Sequence, residues 1–126
     1  MKALLTNYHQ SPRKVRLVAD LIRGKSVSQA KAALAFLPKK SSPAVAKLLD
    51  SAVANARNLG ISTADLFVKK VTVDKGSVVR SFRPFARGRS GTLRKTMSIV
   101  SLELATSASK PAKLTAKKHS KLEARS

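Results

Sequence analysis

Between residues 1 and 60, apolar positions recur with the period of an α-helix, about 3.6 residues. Residues 12–23 predict a first helix, with Ser11 as its N-cap and Pro12 at the first helical position, where a missing N–H costs nothing. Gly24 ends this helix. Its apolar face consists of Val15, Val18, Ala19 and Ile22. Before it, residues 2–8 predict a short strand or an extended arm.

Two further helices follow in the pattern. Residues 29–37 predict a short helix that Ser28 caps and Pro38 ends. Residues 43–58 give the clearest helical period, with Ser42 as the expected N-cap. The apolar positions of this helix are Val45, Leu48, Leu49, Ala52, Val53 and Ala56.

The second half of the chain changes to the pattern of β-strands. Residues 67–74 are rich in β-branched and apolar side chains, and Gly76 predicts a break after them. Residues 77–86 and 92–104 predict a long β-hairpin, whose turn lies at residues 87–91 because Gly88 and Gly91 suit a turn. The expected fold is α+β, with three helices packed on a small antiparallel sheet.

The predicted hairpin has two different halves. At its base, apolar residues can pack on the helices: Val78, Val79, Ile99, Val100, Leu102 and Leu104. Toward its tip, cations occupy both faces: Arg80, Arg83, Arg87, Arg89, Arg94 and Lys95. A strand that covers a core alternates apolar and polar residues, so the distal half must face solvent or a partner. Ten residues of strand reach about 30 Å at roughly 3.3 Å per residue.

The tip pattern has two interpretations. Phe82, Pro84 and Phe85 stand beside arginines, and exposed rings in such a setting suit stacking on nucleic-acid bases. The alternatives are a solvated loop with incidental charge, or rings that pack at the neck of the hairpin. An isolated two-stranded ribbon is marginal in water, which favours support from a partner.

Charge strengthens the case for a polyanion. The chain has 126 residues with 26 Lys plus Arg against 6 Asp plus Glu, a formal net charge of +20. Such an excess repels itself in a compact fold, and nucleic acid is the usual counterpart. An anionic membrane surface would also supply negative charge, so charge alone does not decide between the two partners. The chain has no apolar run of membrane-spanning length.

The length fits one domain. We expect residues 1–104 to form a single globular RNA-binding domain that includes the hairpin at about 77–103, followed by a basic low-complexity tail at 105–126. This tail is either a solvated appendage or a segment that orders on RNA. The chain has no cysteine, which suits a reducing compartment. The N-terminus has no signal-peptide pattern, so the expected location is the cytoplasm, with an organelle left open.

The start of the first helix is a second candidate site. Arg13, Lys14 and Arg16 stand where the helix dipole favours anions, and Arg23 lies off the apolar face. The alternative is a solvated face in which Asp20 pairs with Arg16 or Arg23, a contact of little energy.

The sequence offers no catalytic constellation. His9 and His119 are the two histidines, and both suit a polar surface or an RNA contact better than a catalytic base. The six acids are scattered without the spacing of metal ligands, and no glycine-rich phosphate loop or nucleophile elbow occurs. We therefore expect no enzyme activity, cofactor, metal or small-molecule substrate.

Five segments in fixed order carry a family resemblance: residues 11–25 (SPRKVRLVADLIRGK), 51–56 (SAVANA), 73–76 (VDKG), 83–89 (RPFARGR) and 95–98 (KTMS). They resemble the bacterial family of large-subunit ribosomal proteins numbered twenty-two, over about residues 8–104. The resemblance implies a globular part on 23S ribosomal RNA near the tunnel exit, a hairpin that lines the exit tunnel, and a role in early subunit assembly. The implied partners are 23S RNA, neighbouring large-subunit proteins and the nascent polypeptide.

The candidate residues follow from both arguments. The RNA-binding set is Arg13, Lys14, Arg16, Arg23, Lys25, Arg80, Arg83, Arg87, Arg89, Arg94 and Lys95. The tip expected at the tunnel wall is Arg83, Pro84, Phe85, Ala86, Arg87, Gly88, Arg89, Ser90 and Gly91.

Two rival classes remain open. Histone-like architectural proteins also join helices to basic β-arms with a proline near the tip, and they bend DNA. That class predicts a dimer with a large apolar interface, whereas this sequence offers only the apolar faces of its own core. A membrane-active cationic protein would need a helix with a lysine-rich face opposite a bulky apolar one, which the sequence lacks.

Overall fold

Three helices cover one face of an antiparallel sheet in the computed structural model, which describes residues 1–106. The elements in chain order are β1 (Lys2–Tyr8), α1 (Pro12–Ile22), α2 (Val27–Phe36), α3 (Ser42–Asn58), β2 (Leu66–Pro84), a 3₁₀ turn (Ala86–Gly88) and β3 (Ser90–Thr106). Within these residues the sheet has the order β1-β3-β2, and both pairings are antiparallel. The predicted α+β architecture is confirmed.

The core lies between the helices and the inner face of β3. Val100, Leu102 and Leu104 alternate along β3 and are buried, as the period of a strand requires. The apolar face predicted for α1 is buried as well, and so is that of α3, from Val45 to Ala56. The helices therefore hold the sheet on one side and leave its other face open.

Two predicted helix caps are wrong. The second helix begins at Val27, not at residue 29, and the side chain of Ser26 accepts a hydrogen bond from the Gln29 N–H. Val27 is buried in the core, and this contact extends the helix by two residues beyond its predicted start at the N-terminal end. Helix α3 begins at Ser42, so its N-cap position is Ser41 and not Ser42. The buried Ser42 hydroxyl donates to the Leu34 carbonyl and so links α3 to α2.

The break predicted at Gly76 is also wrong. Strand β2 runs without interruption from Leu66 to Pro84, and the pairing with β3 shifts by one residue between Lys75 and Val78. This shift is a β-bulge, in which the extra residue turns the following side chains to the opposite face. A Cβ on Gly76 would lie 3.3 Å from the Met97 carbonyl oxygen, so glycine suits this close approach.

The bulge changes which residues pack at the hairpin base. Val79, predicted to pack on the helices, is 46% exposed, and Val78 is half-buried. Ile99 is half-buried for a different reason, since it lies on the face of β3 opposite the buried Val100. Strand β3 extends to Thr106, two residues past its predicted end, because Ala105 and Thr106 pair with Phe67 and Leu66. The rest of the tail predicted at 105–126, including His119, lies outside the described residues.

An ion pair ties the two ends of the fold together. The Lys2 ammonium lies 3.1 Å from the Glu103 carboxylate, and the two residues pair directly between β1 and β3. The hydrogen bond from Lys2, assisted by the charges of Lys70 and Lys69, lowers the pKa of Glu103. The pair therefore contributes stability above the ordinary pKa of a glutamate and loses it as the pH falls through the lowered value.

Candidate nucleic-acid interface

The distal hairpin, residues 80–94, extends beyond the core. Strand β1 pairs with β3 only as far as Ser98, so nearer the tip β3 has β2 as its partner in the sheet. Every residue from Phe82 to Ser90 is exposed. The predicted protruding hairpin is confirmed as a structural feature.

Cations lie on both faces of the distal hairpin. Arg80 and Arg94 are direct cross-strand partners, so their side chains project from the same face. Arg83 and Lys95 project from the opposite face, since successive residues of a strand alternate. Like charges placed opposite each other destabilise a strand pair, and the sequence has no acid between Asp74 and Glu103 to neutralise them.

The tip is a tight turn at residues 85–89, so the turn predicted at 87–91 is wrong: Pro84 pairs with Ser90, and Gly91 lies within β3 opposite Arg83. The Phe85 N–H donates to the Arg89 carbonyl at 2.7 Å. Arg87 and Gly88 both adopt left-handed backbone, with φ of 60° and 69°. The Phe85 ring lies against Gly91, where a Cβ would overlap it. This turn presents Arg87 and Arg89 to solvent together.

The two rings of the distal hairpin face outward. Phe82 is 72% exposed and Phe85 is 60% exposed. The alternative that these rings pack at the hairpin neck is therefore wrong. Exposed rings beside guanidinium groups are suited to stacking against bases or against apolar groups of a partner.

The four cations on α1 and at its C-cap divide into two pairs. Arg13 and Lys14, at the first turn, are exposed. Arg16 donates from Nε and Nη2 to the Val73 carbonyl at 3.1 and 3.0 Å. Arg23 donates to the Val71 carbonyl at 3.1 Å and forms an ion pair with Asp20 at 2.9 Å. Of the two ion pairs considered for Asp20, the structure contains the one with Arg23.

These contacts give Arg16 and Arg23 a structural task. Strand β2 is an edge strand, and its outer carbonyls need donors. The Arg16 and Arg23 side chains supply these donors. In addition, the Gly24 N–H donates to the Val68 carbonyl at 3.0 Å, and the Val68 N–H donates to the Lys25 carbonyl at 2.9 Å. Helix α1 therefore closes this part of the sheet edge through side chains that sequence reasoning assigned to RNA.

We expect Arg16→Gln to lower the free energy of unfolding of the free protein. Hydrogen bonds to a charged group contribute about 1.5–3 kcal/mol, and partial exposure of this one reduces the expected loss to about 1–2 kcal/mol. Urea unfolding followed by circular dichroism measures it. Arg13→Gln is the matched control, since Arg13 lies on the same helix and, within residues 1–106, its side chain makes none of the hydrogen bonds that Arg16 makes. Equal stability of the two variants would contradict a structural role for Arg16.

A cationic cleft opens where the hairpin meets the body. We call it the neck cleft. It has a volume of about 610 Å³ and is lined by His9, Gln10, Ser11, Lys14, Lys40, Val79, Arg94, Lys95, Thr96 and Met97. Lys14, Arg94 and Lys95 were predicted RNA contacts, and His9 a possible one, whereas Lys40 was given no role in the sequence pattern. The doublet Lys39-Lys40 was the available signal, and nothing in its spacing places it beside α1.

The described residues give little support to other kinds of site. Among residues 1–106, no three His, Asp or Glu side chains come together in a way that could hold a metal ion. No helix in this part of the chain combines the length and apolar character needed to cross a membrane.

Comparison with known sequences decides the family. The sequence model of the family described as ribosomal protein L22p/L17e matches residues 3–105. The chain belongs to the ribosomal protein L22p/L17e family. The resemblance inferred from the five sequence segments is thereby confirmed.

Individual L22p/L17e relatives agree over most of their length. The chain is 50% identical over 106 residues to the large ribosomal subunit protein uL22 of Pelobacter propionicus, covering 83% of this chain and 96% of that protein. It is 46% identical over 102 residues to the uL22 protein of Herpetosiphon aurantiacus, covering 80% and 90%. The L22p/L17e match ends at residue 105, close to the end of β3, so it covers the body and the whole hairpin.

Proposed function

We propose that this chain is a structural constituent of the large ribosomal subunit that binds 23S ribosomal RNA. The helices and the base of the sheet form a rigid globular body that holds the distal hairpin, and the distal hairpin enters a crevice of folded RNA. The single observation that carries RNA binding is the hairpin itself, with cations on both faces and Arg80 opposite Arg94. The named large-subunit relatives and the family match support the ribosomal setting.

The physical basis of binding is the release of counterions. Each phosphate neutralised by a lysine or arginine frees condensed cations, so affinity falls steeply as salt rises. The hairpin adds shape, because a ribbon with cations on two faces fits between RNA segments rather than against one surface. Recognition of this kind depends mainly on shape rather than on sequence.

The finer assignments rest on the family. We propose that residues 83–91 line the polypeptide exit tunnel and face the nascent polypeptide, and that the protein supports early assembly of the subunit beside neighbouring large-subunit proteins. The exposed Phe85 and the cations of the tip suit a wall shared by RNA and peptide. The expected location is the cytoplasmic ribosome. The family is one of structural proteins, and we assign this chain no catalytic step.

Sedimentation tests the ribosomal proposal. A tagged chain expressed in a bacterial host should co-migrate with the large subunit in a sucrose gradient and remain there at high salt, because burial in folded RNA holds it. Migration at the top of the gradient would contradict the proposal. Association with material that disappears on treatment with deoxyribonuclease would favour the architectural DNA-binding alternative.

The arginine pair provides a second test, in which stability and affinity should change in opposite directions. Arg80→Glu replaces a like-charge pair by an opposite-charge pair, and cross-strand pairs contribute roughly 0.2–1 kcal/mol. We therefore expect slower amide exchange in the hairpin of the free protein, but weaker RNA binding and a salt slope reduced by about one. Ser81→Thr is the control for a substitution on the neighbouring position. A variant that gains affinity for RNA would refute the assigned role of Arg80.

A further inference from the structure

The neck cleft gathers cations from separate parts of the chain. Lys14 comes from α1, Lys40 from the loop between α2 and α3, and Arg94 and Lys95 from β3. None of the described residues that line the cleft is acidic. The ion pairs found within residues 1–106 involve Lys2, Arg23 and Lys31, so these four cations have no carboxylate partner there.

The fold fixes the position of the cleft walls. Strand β1 leaves β3 at Tyr8, just after Asn7 adopts left-handed backbone with φ of 53°. The Tyr8 hydroxyl donates to the Lys40 carbonyl at 3.3 Å, and the Gln10 N–H donates to the Tyr8 carbonyl at 2.7 Å. These bonds tie the loop that carries Lys40 to the strand end, so the convergence of Lys40 and Lys14 is built into the backbone.

The clustering of like charges has a direct electrostatic consequence. Cations that share a cleft repel each other, and the low-dielectric walls focus their field on the space between them. An anion that enters gains from several of them at once. The first turn of α1 adds to this field, because its positive dipole end faces the same region and the Ser11 side chain does not cap it.

The cleft also has an apolar side. Val79 is 46% exposed, and Met97 is half-buried beside it. A phosphate alone would leave these two side chains facing water, whereas a ribose and base would cover them. The pairing of a cationic wall with an apolar wall therefore fits a nucleotide better than it fits an inorganic anion.

We propose that the neck cleft holds one nucleotide of an RNA strand, with its phosphate among Lys14, Lys40 and Lys95 and its ribose and base against Val79 and Met97, which lie on the same face of the hairpin as Lys95. This proposal rests on the proposed function and deepens it, since it names a second anchor distinct from the hairpin tip. The cleft binds the RNA strand at the base of the hairpin, where the distal hairpin extends from the globular body.

Binding of the full-length protein to 23S RNA transcribed in vitro tests the anchor. We would compare the parent with Lys40→Gln, Lys14→Gln and the double variant by filter binding over a series of salt concentrations. Each single change should weaken binding about 5- to 10-fold at physiological salt and reduce the salt slope by about one. Because both lysines face one phosphate, the double variant should lose less than the product of the single losses.

Lys47→Gln is the matched control, since Lys47 is an exposed lysine of α3 outside the cleft. If Lys40→Gln binds as tightly as Lys47→Gln while the parent binds with a steep salt dependence, the cleft proposal is overturned and RNA binding stands. If the parent itself binds without salt dependence, the proposed function fails and the cleft proposal falls with it. Thermal unfolding of each variant verifies that folding is unchanged.

Ultraviolet crosslinking of the parent complex tests where the base lies. Mass spectrometry of the digested protein should find a nucleotide attached to Met97 or to His9, both of which line the cleft. Crosslinks confined to the hairpin tip, with none on these two residues, would overturn the placement of the base.

Discussion

Replacement of Arg83, Arg87 and Arg89 together by glutamine should leave the free protein as stable as the parent and weaken its binding to 23S RNA by about 10²-fold at physiological salt. All three side chains are exposed. None of them forms an ion pair within the described residues, so the folded domain loses no contact of that kind. The expected loss therefore falls on the complex alone.

The size of this effect follows from counterion release. The slope of log affinity against log salt is about 0.9 per neutralised phosphate for duplex and about 0.7 for single strands, so three contacts account for a slope of roughly 2–3. Extrapolated from molar salt to physiological salt, that slope corresponds to about two orders of magnitude in affinity. Filter binding at several salt concentrations measures both quantities.

The control must remove the same charge from elsewhere. Lys47, Arg57 and Lys69 are three exposed cations of the body, and their joint replacement by glutamine lowers the net charge by the same amount. If the tip acts only through net charge, the two triple variants will bind RNA equally weakly. A loss of RNA-binding affinity at least tenfold larger for the tip variant would show that the position of these charges on the distal hairpin matters.

The tip geometry explains why glutamine is the appropriate replacement. Arg87 has φ of 60°, a region that non-glycine residues occupy at some cost. Glutamine meets the same backbone cost as arginine, so the turn between Phe85 and Arg89 is kept. A glycine at position 87 would relieve the cost and change the turn along with the charge, which would confuse the two effects.

Periodic signals made the main elements predictable. Helix α3 and the apolar face of α1 show an uninterrupted helical period, and both appear as expected. The hairpin was predictable because its distal half breaks the alternation of a packed strand. In each case the pattern reflects burial of one face, which is the dominant force and acts on many residues at once.

Single contacts with distant residues decided the points that the sequence left uncertain. Ser28 and Ser26 are equally good caps by type, and burial of Val27 selects Ser26. Gly76 reads as a strand break, but the close approach of Met97 turns it into a bulge within one strand. Each outcome depends on a partner far away in the chain, which local pattern cannot supply.

The candidate interface was predictable in composition but not in arrangement. The arginines of the hairpin lie on its two strands and its turn, as the sequence suggests. The register was not predictable, because the turn spans residues 85–89 and not the predicted 87–91. Arg16 was assigned to RNA from its charge, its place near the start of the helix and the family resemblance, and the fold adds two hydrogen bonds to the Val73 carbonyl that the sequence did not suggest. The convergence of Lys40 with Lys14 joins residues that no periodicity relates, so only the fold reveals the neck cleft.

Leu102→Ala should lower the free energy of unfolding by a large amount and leave the salt slope of RNA binding unchanged. Joint replacement of Arg83, Arg87 and Arg89 should do the reverse. Leu102 is 0% exposed in the central strand, between Ala3 of β1 and Val71 of β2. Truncation of a buried leucine costs about 2–5 kcal/mol through lost transfer energy and the cavity left behind. For a domain of this size, that corresponds to a fall in Tm of roughly 10–30 °C.

Leu4→Ala is the control for this change. Leu4 lies on the adjacent strand but is 62% exposed on the open face of the sheet, so its loss should cost about 0.5 kcal/mol or less. Thermal unfolding followed by circular dichroism compares the two variants. Equal losses would mean that the open face is as tightly packed as the core, against the observed burial.

RNA should restore the Leu102→Ala variant in a concentration-dependent way. A partner that binds only the folded state raises its apparent stability by mass action, so the Tm of the variant should rise as 23S RNA is added. The salt slope should match that of the parent, because no cation has been removed. The variant in which Arg83, Arg87 and Arg89 are replaced should behave differently. Its Tm without RNA should equal that of the parent, and the increase in Tm on RNA addition should be smaller than for the parent. This separation is expected if the apolar core stabilises the globular body and RNA stabilises the distal hairpin. If net charge alone held the protein on RNA, the Tm of the tip variant would rise on RNA addition as much as that of the Lys47, Arg57 and Lys69 variant.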